Sequence, residues 1–194
     1  MSLLWPLIVG LVVALALGGR LQRLASLRLR APWLFYLGIG IRIVAFPFSW
    51  IPWQTPQSVA IPLSLVSFAV LVVAVAVNLH IPGLAIGSIG LLSNFLTTAV
   101  NGGHMPARRA ALDAAGLHFT VNRNSGVAHH PHLSWLIDRW AAPDWVPWAN
   151  VYSVGDVIIS VGALVFALRA TGALDRVPWP RPYRALTLVL RRST

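Results

Sequence analysis

Residues 59–79, VAIPLSLVSFAVLVVAVAVNL, and residues 84–100, LAIGSIGLLSNFLTTAV, are two apolar runs separated only by His80-Ile81-Pro82-Gly83, and neither contains Asp, Glu, Lys or Arg. A bilayer hydrocarbon core about 30 Å thick takes about 20 largely apolar residues in helix. Each run therefore has the length and composition of a transmembrane helix, and the Pro-Gly break has that of a tight turn. Working outward, three more stretches qualify: 3–18, 31–51 and 151–168. The first is short and would thin the bilayer locally. Ala14-Leu15-Ala16 has the small-residue spacing of a signal-peptide cleavage site. However, no positive charge precedes the apolar run and Arg20 follows it, so the stretch reads as a retained helix. The expected fold is an all-α membrane protein, a single domain of about five transmembrane helices, with an external segment at 101–150 and a basic tail at 169–194.

Composition agrees. Of 194 residues, 57% are hydrophobic and only 10% charged, where an ordinary soluble domain carries roughly 25% charge. So few charges cannot coat a water-facing surface, which excludes a soluble globular enzyme, a disordered tail and a nucleic-acid-binding domain, despite a net charge of +10. All the bases are arginine and all the acids aspartate, the bias of a GC-rich bacterial genome. Cysteine is absent, which removes disulfides, thiolate metal sites and cysteine nucleophiles.

Arginine placement gives the orientation. Arg20, Arg23, Arg28 and Arg30 fill the first connection, and Arg169, Arg176, Arg181, Arg184, Arg191 and Arg192 follow the last run. With five spans both segments lie on one side, the cytoplasm, and the uncharged connection 52–58 lies outside with the N-terminus. The location implied is the bacterial cytoplasmic (inner) membrane, crossed several times. Arg108, Arg109, Arg123 and Arg139 then sit in the external segment, which is long enough to be weakly bound by the rule. Trp5, Trp33, Trp50 and Trp53 fall at helix ends, where amphipathic rings prefer the headgroup level. Trp135, Trp140, Trp145 and Trp148 crowd before the last span, so residues 133–150 read as a surface at the outer membrane face. Two basic amphipathic stretches, Arg20–Arg28 with Leu21, Leu24 and Leu27, and Tyr183–Leu190, read as anchors beside anionic headgroups.

Polar groups inside apolar spans are functional candidates by default. Arg42 lies near the middle of the second span and Asp156 about one turn into the fifth. Pro47 should kink the second helix, and a flexible arginine could close the distance to form an Arg42–Asp156 pair. Ser153-Val154-Gly155-Asp156 also reads as a capping box, with a carboxylate satisfying free amides at a helix start. Asn94, Thr98 and Asn101 share one face of the fourth helix, and Ser153, Asp156 and Ser160 one face of the fifth. If those faces meet, they form either a polar pocket bordered by Arg42 or hydrogen-bonded glue between helices, with Gly38, Gly40, Gly87 and Gly90 allowing close approach. Asn101-Gly102-Gly103-His104-Met105-Pro106 ends the fourth helix. Its glycines suit a left-handed C-cap, whereas a tight turn alone calls for neither Asn101 nor His104. His129, His130 and His132 are the one conventional metal candidate, a weak one, because adjacent histidines diverge and Asp138 or His118 would have to complete the set. The sequence points to no cofactor.

The segments Asn101-Gly102-Gly103-x-Met105-Pro106 and Ser153-x-Gly155-Asp156-Val157, with the Gly18-Gly19-Arg20-Leu21 exit from the first helix, resemble a domain-of-unknown-function family of small bacterial integral membrane proteins. The resemblance implies a multi-span helical architecture and brings no activity with it. Between its signatures that family tends to carry Gly-Asp followed by Ile-Pro. Here Pro143-Asp144-Trp145-Val146-Pro147 lacks the glycine and adds a tryptophan.

Two function classes follow. One is an accessory or scaffold subunit of a larger membrane complex, partnered by another membrane protein or by its own copies through the tryptophan-rich surface. The other is a small transporter or ligand-responsive membrane protein using Arg42, Asn94, Asn101, His104 and Asp156. An enzyme is the least favoured reading.

Overall fold

The computed structural model describes residues 4–47, 51–117, 125–126, 130–142 and 151–175. The chain is mostly helical. Its longer helices are α1 (Leu4–Ala16), α3 (Trp33–Ala45), α4 (Gln57–Ala76), α5 (Leu84–Val100) and α7 (Val154–Ala170). Shorter elements are α2 (Gln22–Ala25), α6 (Arg109–Ala114) and the two-residue strands β1 (Met105–Pro106), β2 (Ser125–Gly126), β3 (Trp140–Ala141) and β4 (Val151–Tyr152). Strand β1 pairs in parallel with β2, and β3 antiparallel with β4. The long helices pack chiefly in the order α3, α4, α5, α7, α1, so the first helix docks on the last.

Helix ends follow local chemistry. The expected helix over 31–51 stops at Ala45: Phe46 leaves helical geometry (φ −132°, ψ 76°) because Pro47 disfavours the α conformation before it and its own nitrogen can donate no bond. The proline ends the helix and does not kink it. α7 starts at Val154, not Val151, because Val151 and Tyr152 are spent pairing with Ala141 and Trp140. α4 ends at Ala76, and Asn78 beyond it reaches sideways. The Asn78 amide donates to the Ala74 and Arg30 carbonyls, both at 2.8 Å, and its oxygen accepts from the Arg30 nitrogen at 2.7 Å. α5 spans the residues expected. It starts after Gly83 at φ +90°, where a Cβ would strike the backbone of Gly162 and Phe166.

In the long helices burial sorts side chains largely by size. Most residues shut inside the helical bundle are small or polar: Ala14, Ala60, Ala74, Ala167, Ser64, Ser67, Asn78, Asn94, Thr97, Thr98, Ser153 and Thr171, while the larger buried side chains, Val75, Ile81, Met105, Leu136, Ile137 and Val151, lie mainly beyond the long helices. Large apolar side chains point outward on every long helix, among them Ile8 and Val12 (α1), Tyr36 and Ile39 (α3), Val66 and Val73 (α4), Ile89 and Leu96 (α5), and Val157 and Val161 (α7). Among the described residues one helix, α4, is long and apolar enough to cross a membrane. Only 28% of its most apolar stretch is buried. α1, α3 and α5 are apolar but shorter.

The interior is small because the backbones touch. On α5 and α7, Gly90 faces Gly155, and a Cβ at Gly155 would stand 2.8 Å from the Gly90 carbonyl and collide with Asn94. Gly38 likewise admits Leu71 of α4, whereas Gly40, expected to serve close approach, faces open space. Gly155→Ala should therefore destabilise the fold by about 3 kcal/mol, the upper range for overpacking, while Gly40→Ala should be neutral or stabilise by up to about 1 kcal/mol. Thermal unfolding of the two variants in detergent checks both.

Candidate functional site

Ser153 sits just ahead of α7, where the first helical amides lack partners. Its hydroxyl accepts from the Asp156 nitrogen at 3.1 Å, and the Asp156 carboxylate accepts from the Ser153 nitrogen at 3.0 Å. The capping box is complete. It is also welded to the neighbouring helix. The Asn94 amide of α5 donates to Asp156 Oδ1 at 3.0 Å. Ser153 Oγ lies 2.9 Å from Asn94 Oδ1 and 2.8 Å from Asp156 Oδ2, so its single proton serves one acceptor at a time. Ser160 closes the set by donating to the Asp156 carbonyl at 2.7 Å.

About two turns further on, Asn101, the C-cap of α5, holds a second junction. Its amide donates to the Thr97 and His132 carbonyls at 2.8 and 3.0 Å, and its oxygen accepts from the His132 nitrogen at 2.9 Å. The side chain thus copies a strand edge and pins the 130s segment onto the end of α5. Gly103 donates to the Thr98 carbonyl at 2.9 Å, closing the helix with a positive-φ residue as a C-cap requires. His104 follows with its Nδ1 buried and without a hydrogen-bond partner among the described residues.

Asp138 joins these junctions. Its nitrogen donates to the Pro106 carbonyl and its carbonyl accepts from the Arg108 nitrogen, while the next residue, Arg139, donates to Tyr152. The strand that leaves α5 and the one that enters α7 are thereby laced to the same short segment. Asp138 is 5% exposed. Burial, and secondarily the nearby Asp156 charge, push its pKa up from 3.8 to about 8. It is therefore largely protonated at neutral pH.

Asn94 and Asp156 are thus brought together, with Asn101 and His104 at the adjoining end of α5. Arg42 is not among them, and the expected Arg42–Asp156 pair does not form. Its guanidinium donates to Ser64 of α4 at 3.0 Å and lies 4.6 Å from the Phe68 ring centre and 5.7 Å from that of Phe46. It bridges α3 to α4 because a hydroxyl and two ring faces lie within its reach there, and cation–π contact compensates a desolvated guanidinium. Trp135 and Trp140 are exposed, the latter beside the Arg139 guanidinium. Trp145, Trp148, His118, His129 and the Tyr183–Leu190 stretch lie outside the described residues. Of the histidine group, His130 and His132 are exposed, and no three metal-ligating side chains gather among the described residues.

Sequence reasoning weighed Asp138 only as a fourth metal ligand. A stronger signal was available in Leu136-Ile137-Asp138: in a chain with five acids, one set behind two large aliphatic residues is marked for burial.

A mostly helical bundle whose large apolar side chains face outward, with a laced polar junction at one end, defines the class. The chain belongs to DUF5317, a family of unknown function, whose model matches residues 26–168. The Gly18-Gly19-Arg20-Leu21 exit precedes that match. An uncharacterized protein of Thermotoga maritima is 29% identical over 136 residues, covering 68% of this chain and 74% of that protein. No solved structure matches.

The raised Asp138 pKa carries a sign. The folded state binds a proton that the unfolded chain releases between pH 4 and about 8, so stability is greatest at the acid end of that window and declines as pH rises through it. Asp138→Asn should flatten this slope, and melting curves of both proteins at pH 5, 6.5 and 8 measure it.

Proposed function

We propose that α1, α3, α4, α5 and α7 cross a bacterial cytoplasmic membrane, with the N-terminus outside and the arginine-rich end in the cytoplasm, and that the protein is an accessory or scaffold subunit of a larger membrane assembly. The observation that carries this reading is the inverted burial: five helices turn Ile, Val and Leu outward and bury Ser, Thr, Asn, Ala and Gly. Helices in lipid gain nothing by hiding aliphatic side chains from one another, so small-residue contact and hydrogen bonds hold them together. α1 and α3, at 13 residues each, are only about 20 Å long and fit the bilayer by local thinning and snorkelling of flanking arginines. Charge supports the orientation, since Arg20, Arg23, Arg28 and Arg169 share one end of the bundle.

The subunit reading is supported by how the polar residues are used. Asn94, Asn101, Ser153 and Asp156 are bonded within the chain, as structural glue is. Trp135 and Trp140, 61% and 47% exposed, are left as rigid aromatic anchors of the kind that dominate binding energy. Affinity capture of the full-length protein from host membranes should retain a stoichiometric membrane-protein partner, and Trp135→Ala/Trp140→Ala should lose it. Equal capture by the double variant would overturn the subunit role.

Membrane topology has its own test, made simple by a cysteine-free chain. In spheroplasts an impermeant maleimide should label Ser134→Cys and spare Ser26→Cys until lysis. The reverse pattern would invert the orientation, and labelling of both would remove the multi-span reading.

One observation favours the second reading, a ligand-responsive membrane protein. Asp138 is a buried carboxyl near Asp156, and a proton or cation entering there would alter the junction of α5 and α7. Reconstituted protein whose ion flux or ligand response falls on Asp138→Asn, with folding intact, would support this reading; an unchanged response would exclude Asp138 from it.

A further inference from the structure

At the end opposite the Asn94–Asp156 junction, three separate segments border an open cavity of about 610 Å³ lined by Arg23, Leu27, Arg28, His80, Ile81, Pro82 and Arg169, among others. A second recess, lined by Arg20, Gln22 and Arg23, adjoins it through Arg23. We infer that this cavity is a binding site for a phosphate-bearing anion, with a phospholipid headgroup as the occupant its apolar wall suits best.

The convergence is built. The connection between α1 and α3 crosses the bundle end and is fastened at two points, by Asn78 on both polar groups of Arg30 and by the Arg20 nitrogen on the Thr171 carbonyl at 2.8 Å. Gly19 sits so close to Thr171, and Gly172 to the Arg23 guanidinium, that a Cβ on either glycine would collide. These fastenings bring Arg23 and Arg28 from the connection, His80 from the turn after α4, and Arg169 from the end of α7 around one opening. Asp175 is the one acid among the described residues at this end, and it is paired with Arg23. The described residues at this end therefore carry more positive than negative charge.

Arginines that only fix topology need to lie on the correct side of a membrane and have no reason to surround a common space. These do, and guanidinium forks are matched to phosphate oxygens. Leu27, Ile81, Pro82 and Ala170 give the same cavity an apolar wall, which would accept the glycerol and first acyl carbons behind a headgroup. The lipid source rests on the multi-span reading; the anion site does not.

The test uses the full chain in mild detergent. Retention of phosphatidylglycerol and phosphatidylcholine is read by native mass spectrometry, and inorganic phosphate and glycerol 3-phosphate are titrated separately by thermal shift. Phosphatidylglycerol should be retained over phosphatidylcholine. Arg28→Gln should weaken it about fivefold, the share of one arginine at an anionic surface. Adding His80→Gln should weaken it further. Arg28 and His80 are exposed, and Arg108→Gln, an exposed arginine at the opposite end, serves as the control with no change expected. Glycerol 3-phosphate that stabilises the protein and displaces the lipid, with the same dependence on Arg28, would keep the anion site but assign it to a soluble ligand. Equal retention of the two lipids without any phosphate response, or losses as large in Arg108→Gln as in Arg28→Gln, would overturn the site.

Discussion

The contact on which the rest of this molecule depends is the one between α5 and α7. Gly90 and Gly155 let two backbones meet where a single methyl group would hold them apart, and Gly83 and Gly162 repeat the arrangement two turns away. At that distance the Asn94 amide reaches the Asp156 carboxylate, so the bond that caps α7 also joins it to α5. α4 packs on one side of this seam and α1 on the other. The segment 101–142 is hung from its two ends, by Asn101 on α5 and by the pairing of Trp140 and Ala141 with the start of α7.

Much of this was legible because local chemistry decides it. Pro82-Gly83 and Gly102-Gly103 bracket α5 at the expected residues, and Ser153 with Asp156 forms the capping box that its spacing describes. Pro47 was read as a kink, but the helix has too few residues beyond it to resume. Arg42 was assigned the wrong partner for a reason no pattern reveals: Ser64 and Phe68 are one turn apart on α4 and present a hydroxyl and a ring to the same point. Asp138 was undervalued because its burial is produced by strand pairings of two residues each, too short to leave a periodic trace.

The polar interior and the arginine-lined end bear on function in different ways. Inside, nearly every buried hydroxyl and amide among the described residues is bonded to the chain itself, which makes the helix seams specific. Ser93 Oγ and His104 Nδ1 are exceptions among the described residues. At the basic end, Arg23, Arg28, His80 and Arg169 line one cavity. A family whose activity is unknown is thus approached more directly through its surfaces, the Trp135–Trp140 face and the arginine-ringed cavity, than through a search for a catalytic centre in its core.

The docking of α1 on α7 has a consequence for how the protein is made. Gly10 of α1 meets Leu164 and Ala167 of α7, a surface that does not exist until about 140 more residues have been synthesised. At bacterial elongation rates of roughly 5–20 residues per second, the first helix waits roughly ten to thirty seconds for its partner. During that interval its small-residue face is open to any other helix of similar shape. The first helix must therefore stay unpaired, or exchange one neighbour for another, until the last one has been made.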